Sequence, residues 1–302
     1  MKVIITGGTG FVGAALTKKL IKIGEHPWII SRGGKSVPGA QFVPLDSQGL
    51  LPEELLSKTQ VIINLAGESV GQYWHKDVKE RILNSRLSIT NNLVNSLARN
   101  QALGLSYPRL LISASAIGYY GTTAQWVQTE TSPSGTGFLA SVCRQWEEAS
   151  LRAQTNGVRV VIFRFGHVLG PGGGVLQGMS LPFRWGVGGN IGSGQQFISW
   201  IHLDDLLQLL LLPIQNEQMN GIYNATTTQP VTMKAFMQEL GKALDRPSWT
   251  NLPAWAARLF MGEMAKELLL PSQQVLPERL TKLGYSFLFP KLSSALQNIY
   301  QK

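Results

Sequence analysis

Glycines 7, 10 and 13 of the 302-residue chain stand three apart within Gly7-Gly8-Thr9-Gly10-Phe11-Val12-Gly13. Glycine lets a backbone turn tightly and approach a pyrophosphate closely, and the free N–H groups of a following helix attract that charge. The pattern carries this meaning only between a strand and a helix, and both are predicted here. Val3, Ile4 and Ile5 form the apolar β-branched run of a buried parallel strand over residues 2–6. Val12, Leu16, Leu20 and Ile23 then recur at helical spacing, and Gly24 marks the helix end. The segment reads as a dinucleotide-binding turn rather than an ordinary glycine-rich connection.

A predicted second strand (27–31) runs into Ser31-Arg32-Gly33-Gly34-Lys35. An acidic residue at such a strand end holds the ribose hydroxyls of NAD, whereas an arginine accommodates the 2′-phosphate of NADP. No acid stands here, so Ser31 and Arg32 point to NADP(H), with Lys35 close behind. Asp46 follows a third strand (41–44) and is a candidate to accept from the adenine amino group, although aspartate also favours turns. Asn64-Leu65-Ala66-Gly67 closes a fourth strand (61–65), and its small residues let the backbone pass close to a dinucleotide.

The elements that position these residues continue in alternation. A helix is predicted over about 76–100, a strand over 110–113, a helix over about 138–156 and a strand over 158–163. This order implies a doubly wound parallel α/β sheet, with ligands beyond the carboxyl ends of its strands. Residues 1–170 read as the nucleotide-binding Rossmann domain and 171–302 as a smaller C-terminal lobe, with 222–226 returning to the sheet. Within the lobe, 170–194 is glycine-rich and reads as loops, and 232–244 reads as an amphipathic helix.

Composition narrows the classes further. A hydrophobic content of 44% supports a buried core and excludes disorder. The net charge of +9 comes from dispersed basic residues, which argues against nucleic acid and for a surface that attracts phosphorylated small molecules. With one cysteine, Cys143, no disulfide forms within the chain, and a reducing, cytoplasmic compartment is expected. His26, His75, His167 and His202 lack metal-ligand spacing, so no metal site is expected. The leucine-rich run 206–212 is too short for a membrane span. Met1 leads directly into the first strand, so no targeting segment is expected.

The glycine loop, 64–67 and Trp200-Ile201-His202-Leu203-Asp204-Asp205 together resemble the extended short-chain dehydrogenase/reductase superfamily. Segments 64–68 (NLAGE), 113–121 (SASAIGYYG), 138–147 (FLASVCRQWE), 183–194, 200–206 and 262–280 narrow the likeness to its "epimerase family protein" branch, which carries a C-terminal domain of unknown function. Cyanobacterial and plastid members are called SulA-like cell-division inhibitors or giant-chloroplast proteins. The resemblance implies NADPH held by the glycine loop, by Leu65, Ala66, Gly67 and Glu68, and by Arg86. It also implies an unidentified small-molecule ligand, a cell-division partner and, for an organellar homologue, a stromal location. Related folds pair into homodimers through helices like 76–100 and 138–156. Ser272-Gln273-Gln274 departs from the branch's usual Gly-Gln-Arg, which is expected to weaken a contact in the lobe.

Most of the superfamily moves a proton through a Tyr-x-x-x-Lys pair on one helix, where the lysine lowers the tyrosine pKa. None of the seven tyrosines here has lysine four residues later. By position Phe138 and Val142 stand in their place, so the usual proton-transfer pair is absent. Ser115 matches the serine that polarises a substrate carbonyl, with Ser113 as the alternative register. Arg86 replaces an asparagine of the family pattern and would favour an anionic ligand or the cofactor phosphates. Tyr119 and Tyr120 are candidates for a displaced acid, with Glu130 further along the same loop. Trp74, Arg184, Gln196 and Trp200 are candidates to line the second-ligand pocket. Two readings follow: an NADP(H)-binding protein with little conventional turnover, and an oxidoreductase or nucleotide-sugar-type epimerase using the displaced acid.

Overall fold

The computed structural model describes residues 2–30, 37–122 and 127–301. Its first part comprises β1 (Val3–Thr6), α1 (Phe11–Lys22), β2 (Trp28–Ile30), β3 (Gln41–Phe42), α2 (Glu53–Ser57) and β4 (Val61–Asn64). These are followed by α3 (Lys76–Ala102), β5 (Leu110–Ala116), α4 (Phe138–Leu151) and β6 (Arg159–Phe165). The helix predicted over 138–156 is α-helical only to Leu151, and a 3₁₀ turn over Arg152–Asn156 completes it.

Apolar alternation explains why these strands form a sheet covered on both faces. Val3 and Ile5 of β1, Val61 and Ile63 of β4, Leu110 and Ile112 of β5, and Val161 and Phe163 of β6 enter one core with Leu16 and Leu20 of α1. Ile4, Ile62, Leu111, Val160 and Ile162 enter the opposite core with Leu93, Val94 and Leu97 of α3. A period of two along each strand therefore feeds both layers, as a buried parallel sheet requires.

The second part comprises β7 (His167–Leu169), α5 (Gly174–Arg184), β8 (Gly189–Ile191), β9 (Phe197–Ile198), β10 (Trp200–His202), α6 (Leu203–Gln215), β11 (Gly221–Ala225), β12 (Val231–Thr232), α7 (Met233–Ala243) and β13 (Thr250–Leu252). It ends in α8 (Ala254–Met264), a π-helical turn over Ala265–Leu269, α9 (Glu278–Lys282) and α10 (Leu292–Tyr300). The segment expected to be loops, 170–194, instead holds α5 and β8. Its glycines 170, 173 and 174 crowd the Phe11 ring, where an added Cβ would come within 3.0, 2.3 and 2.8 Å. They make room for an aromatic side chain rather than disorder the segment.

The seven-stranded sheet has the order β11-β6-β5-β4-β1-β2-β3, and all its pairings are parallel. Residues 203–225 return to this sheet, because α6 shares the α1 core and β11 pairs with β6. A third core in the C-terminal part gathers Phe183, Trp200, Phe236 and Leu296. His202 caps α6 by accepting from the Asp204 N–H at 3.1 Å. Buried Asp205 ties down the tail by accepting from Leu288 and Phe289 N–H at 2.7 and 3.0 Å. Among the described residues, no helix is long and apolar enough to cross a membrane.

The strand order reverses between β1 and β4, and the crevice beyond their carboxyl ends is where such sheets bind ligands. A polar lock fixes that point. The Thr6 hydroxyl donates to Asn64 Oδ1 at 2.6 Å and accepts from the Leu65 and Ala66 N–H groups at 3.1 and 3.2 Å. Asn64 Nδ2 donates onward to Thr90 Oγ1 at 2.9 Å, so the two strand ends and α3 are held together.

Candidate functional site

The glycine loop is shaped by close backbone packing. Gly7 has φ +66°, and a Cβ there would lie 2.8 Å from Leu65 O. At Gly13 a Cβ would lie 2.1 Å from Gly7 O. Gly10 N donates to Gly7 O at 2.9 Å, and α1 begins at the next residue. The loop thus wraps the start of α1, whose unpaired N–H groups face the crevice. A dinucleotide pyrophosphate fits this cradle, since any larger residue at 7 or 13 would displace it.

Two cavities meet at the loop and share Gly7, Gly10, Leu65 and Gly67. The larger, about 1060 Å³, also takes in Thr9, Ala66, Ile30, residues 42–45 and α3 as far as Asn92. The smaller, about 380 Å³, runs from Phe11, Val12 and Gly13 across Arg86, Ser115 and the 138–146 stretch of α4 to His167, Glu267 and Gln273. Gly8 lines neither, since a Cβ there would point into Ile29. Glu68 is anchored through its N–H, which donates to Ser85 Oγ at 2.9 Å. Ser31, Arg32 and Lys35 lie outside the described residues.

Asp46 is held in a turn. One carboxylate oxygen accepts from the Gln48 and Leu50 N–H groups at 2.9 and 2.8 Å, while the other pairs with Arg99 at 3.0 Å. The Leu50 hydrogen bond leads the causes that hold this carboxyl below the usual range. It lines neither cavity.

The register of the β5 serines is unambiguous. Ser113 is buried among Ser150 Oγ at 2.9 Å and Asn64 Nδ2 at 3.4 Å, whereas Ser115 lines the smaller cavity. The Ser115 hydroxyl donates to Glu147 Oε1 at 2.6 Å. Glu147 accepts from Arg164 Nε and Nη2, both at 2.8 Å, and neither residue is more than 4% exposed. Burial pulls Arg164 down, but the hydrogen bonds and charge of Glu147 outweigh it and hold the guanidinium above its ordinary value.

Tyr120 belongs to this network and not to the cavity wall. Its hydroxyl lies 2.7 Å from Asn224 Oδ1, 2.9 Å from Thr129 O and 3.0 Å from Arg164 Nη1. Burial pushes the phenol up to about 12 despite the Arg164 charge. Tyr119 stacks on Arg164, 3.3 Å from ring centroid to Cζ. Neither tyrosine lines either cavity, so this geometry lends the displaced-acid assignment no support. Glu130 accepts instead from the Asn224 and Arg279 N–H groups and joins its loop to the C-terminal part.

The usual donor positions are apolar in fact as well as in sequence. Phe138 packs edge-on against Trp74 with centroids 5.2 Å apart, and Val142 is buried in the cavity wall. Trp74, Gln196 and Trp200 are packing residues and Arg184 is exposed; none lines the small cavity. Arg86 does line it, donating to Ile82 O at 2.8 Å and lying 5.1 Å from the Trp146 ring. Burial lowers its pKa from the ordinary value. Cys143, beside it, is pushed up to about 11 by burial and the Glu147 charge, and so stays a neutral thiol.

Four lining or supporting residues escaped the sequence reading. Arg164 is a charge embedded in the apolar run of β6, a signal for a buried pair, whereas Glu147 stands beside Glu148 and carries no such signal. Glu267 accepts from the Phe138 and Leu139 N–H groups, both at 2.9 Å, and so caps α4 from far along the chain. Gln273 Nε2 donates to Gly121 O at 3.1 Å and Ile117 O at 3.3 Å. Ser272 accepts from Phe197 N–H and Gln274 O from Gln128 N–H, so the 272–274 departure leaves the lobe well connected.

His167 faces the small cavity, and burial lowers its imidazole to about 4. The unfolded chain then binds more protons than the folded one between about pH 6.5 and 4, so stability rises with pH across that window. Acidification from pH 7 to 5 should therefore lower the melting temperature, and His167→Asn should shrink that loss. An unchanged pH dependence in the variant would remove His167 as its source.

Comparison with known proteins places this geometry. The model of the NAD dependent epimerase/dehydratase family matches residues 3–226, and a domain of unknown function (DUF1731) matches 252–299. The chain is 37% identical to the "Epimerase family protein SDR39U1 homolog, chloroplastic" of Arabidopsis thaliana, covering 100% of this chain and 87% of that one. It is 34% identical to the Bacillus subtilis epimerase family protein YfhF, over 99% and 98% of the two chains. The crystal structure of human epimerase family protein SDR39U1 with NADPH superposes with a TM-score of 0.85 at 31% identity, covering 100% of both chains. A UDP-glucuronic acid 4-epimerase from Bacillus cereus, 18% identical with a TM-score of 0.77 over 100% of this chain and 98% of that one, shares the fold. The names of these relatives give no support to a division label. The chain belongs to the NAD dependent epimerase/dehydratase family.

Proposed function

We propose that the chain binds NADP(H) across the two cavities and turns over standard carbonyl substrates negligibly. The bound cofactor would supply a hydride donor or acceptor. The cradle at Gly7–Gly13 would hold the pyrophosphate, the larger cavity the adenosine end and the smaller cavity the nicotinamide end. The human relative crystallised with NADPH supports this reading. The observation that carries it is the apolar pair Phe138 and Val142 at the positions where a proton donor is needed, with Tyr120 locked away behind them. A hydride step on a carbonyl must be matched by a proton, and here the family's usual donor is missing. A division role rests on the resemblance alone, and no residue of the site carries it.

Two measurements test the reading. NADPH should bind more tightly than NADH by calorimetry, and Arg32→Ala should erase the preference; equal affinities in the parent chain would overturn the NADP assignment. With NADPH and common aldehydes or ketones, absorbance at 340 nm should stay flat. Robust turnover lost in Tyr119→Phe or Tyr120→Phe would restore the displaced-acid reading.

A further inference from the structure

The hydroxyl of Ser115 has a single proton, and that proton is committed. It is donated to Glu147 Oε1 at 2.6 Å, within the short range of an O–H···O⁻ bond. Glu147 accepts two hydrogen bonds from buried Arg164, and a carboxylate so paired only accepts. With its proton committed, the Ser115 oxygen faces the small cavity as an acceptor. A ligand carbonyl set against it would meet oxygen with oxygen, while a ligand O–H or N–H would be accepted. This reverses the carbonyl-polarising role expected of a serine at this position.

A second polar group sets the charge of the ligand. Arg86 makes one side-chain hydrogen bond among the described residues, to Ile82 O, which leaves further guanidinium donors at the cavity. The acid that shares this cavity, Glu267, is tied to the Phe138 and Leu139 N–H groups, and Glu68 acts on Arg86 by its charge; the planar guanidinium still favours a carboxylate among anions. Arg86, Ser115 and Cys143 line one cavity of about 380 Å³, which suits a short ligand. Leu139, Val142, Phe165 and Leu268 supply apolar lining for its body.

We infer that the small cavity takes a compact apolar or aromatic carboxylate bearing a hydroxyl, with the carboxylate on Arg86 and the hydroxyl donating to Ser115. This deepens the NADP(H) reading and rests on it. Mandelate and phenylglyoxylate serve as probes, because they share ring and carboxylate and differ in presenting a hydroxyl or a carbonyl.

Calorimetry on the NADP⁺-loaded protein, with absorbance at 340 nm followed in parallel, should show mandelate binding about tenfold more tightly than phenylglyoxylate. Ser115→Ala should abolish that difference; its circular dichroism spectrum shows that the variant folds, although loss of the bond to Glu147 lowers its melting temperature. Arg86→Gln should weaken both probes alike. Equal or reversed probe affinities, or no binding of either at millimolar concentration, would overturn the inference while leaving NADP⁺ binding intact. So would a Ser115→Ala variant that weakens NADP⁺ instead, since the cofactor amide would then be the group that Ser115 accepts. Failure of NADP⁺ itself to bind would defeat the earlier reading first.

Discussion

Glu147→Ala should lower the unfolding free energy by about 3–5 kcal/mol, the range seen when one member of a buried ion pair is removed. Arg164 is 1% exposed and donates two of its hydrogen bonds to Glu147. Without the carboxylate its charge would sit in a region walled by Tyr119, Tyr120 and the β-sheet, far from water. Tyr120 offers one remaining contact, at 3.0 Å, which does not neutralise it. Urea denaturation measures the loss. The double variant Glu147→Leu/Arg164→Met should recover most of it, because the penalty lies in the orphaned charge rather than in the absent bond. A loss below about 1 kcal/mol in the single variant would show that Arg164 reaches solvent or another acid.

Gly13→Ala should weaken NADPH binding by about a hundredfold, or ~2.7 kcal/mol. The added Cβ would stand 2.1 Å from Gly7 O, 2.8 Å from Gly7 C and 2.9 Å from Gly8 Cα. All three are backbone atoms, so no rotamer change can relieve the contact, and the loop must move away from α1. That shift breaks the cradle at the helix start, where the pyrophosphate charge is to be stabilised. Gly178→Ala is the matched control, because no atom lies within 4 Å of its added Cβ. It sits in α5, where alanine is the better helix former, so stability should hold or rise. Titration of NADPH fluorescence separates the two variants, and unchanged affinity in Gly13→Ala would refute the assigned role of the loop.

The sheet and the glycine loop were legible because their signals are local. Alternating apolar residues in β1, β4, β5 and β6 announce strands, and glycines between strand and helix announce the turn. Ser115 and Arg86 do line one cavity, which their order along the chain suggested. The missing donor could be read because a helix fixes the step from 138 to 142. Local signals and packing diverge at other positions. Pro182 and the glycines around it suggested loops, yet Pro182 occupies the last turn of α5 and the glycines accommodate Phe11. Tyr119 and Tyr120 follow β5 as a catalytic residue would, but a 3₁₀ turn over Ile117–Tyr120 aims Tyr120 at β11. Asp46 likewise follows a strand, but its oxygens answer to a turn and to Arg99. Contacts such as Glu267 with α4 span more than a hundred residues, and no short pattern encodes them.

That long-range cap has a consequence for when the site comes into being. The strand, loop and helix of the cofactor cradle lie within the first 22 residues and need only the backbone of 64–66 packed against them. The N-terminus of α4, which walls the smaller cavity, is capped by a carboxylate at position 267. A chain emerging from the ribosome could thus shape its phosphate grip early and still lack a finished inner pocket until nearly all of it had been made. Ligand selection is a property of the finished protein, with the C-terminal segment serving as the last wall to be set.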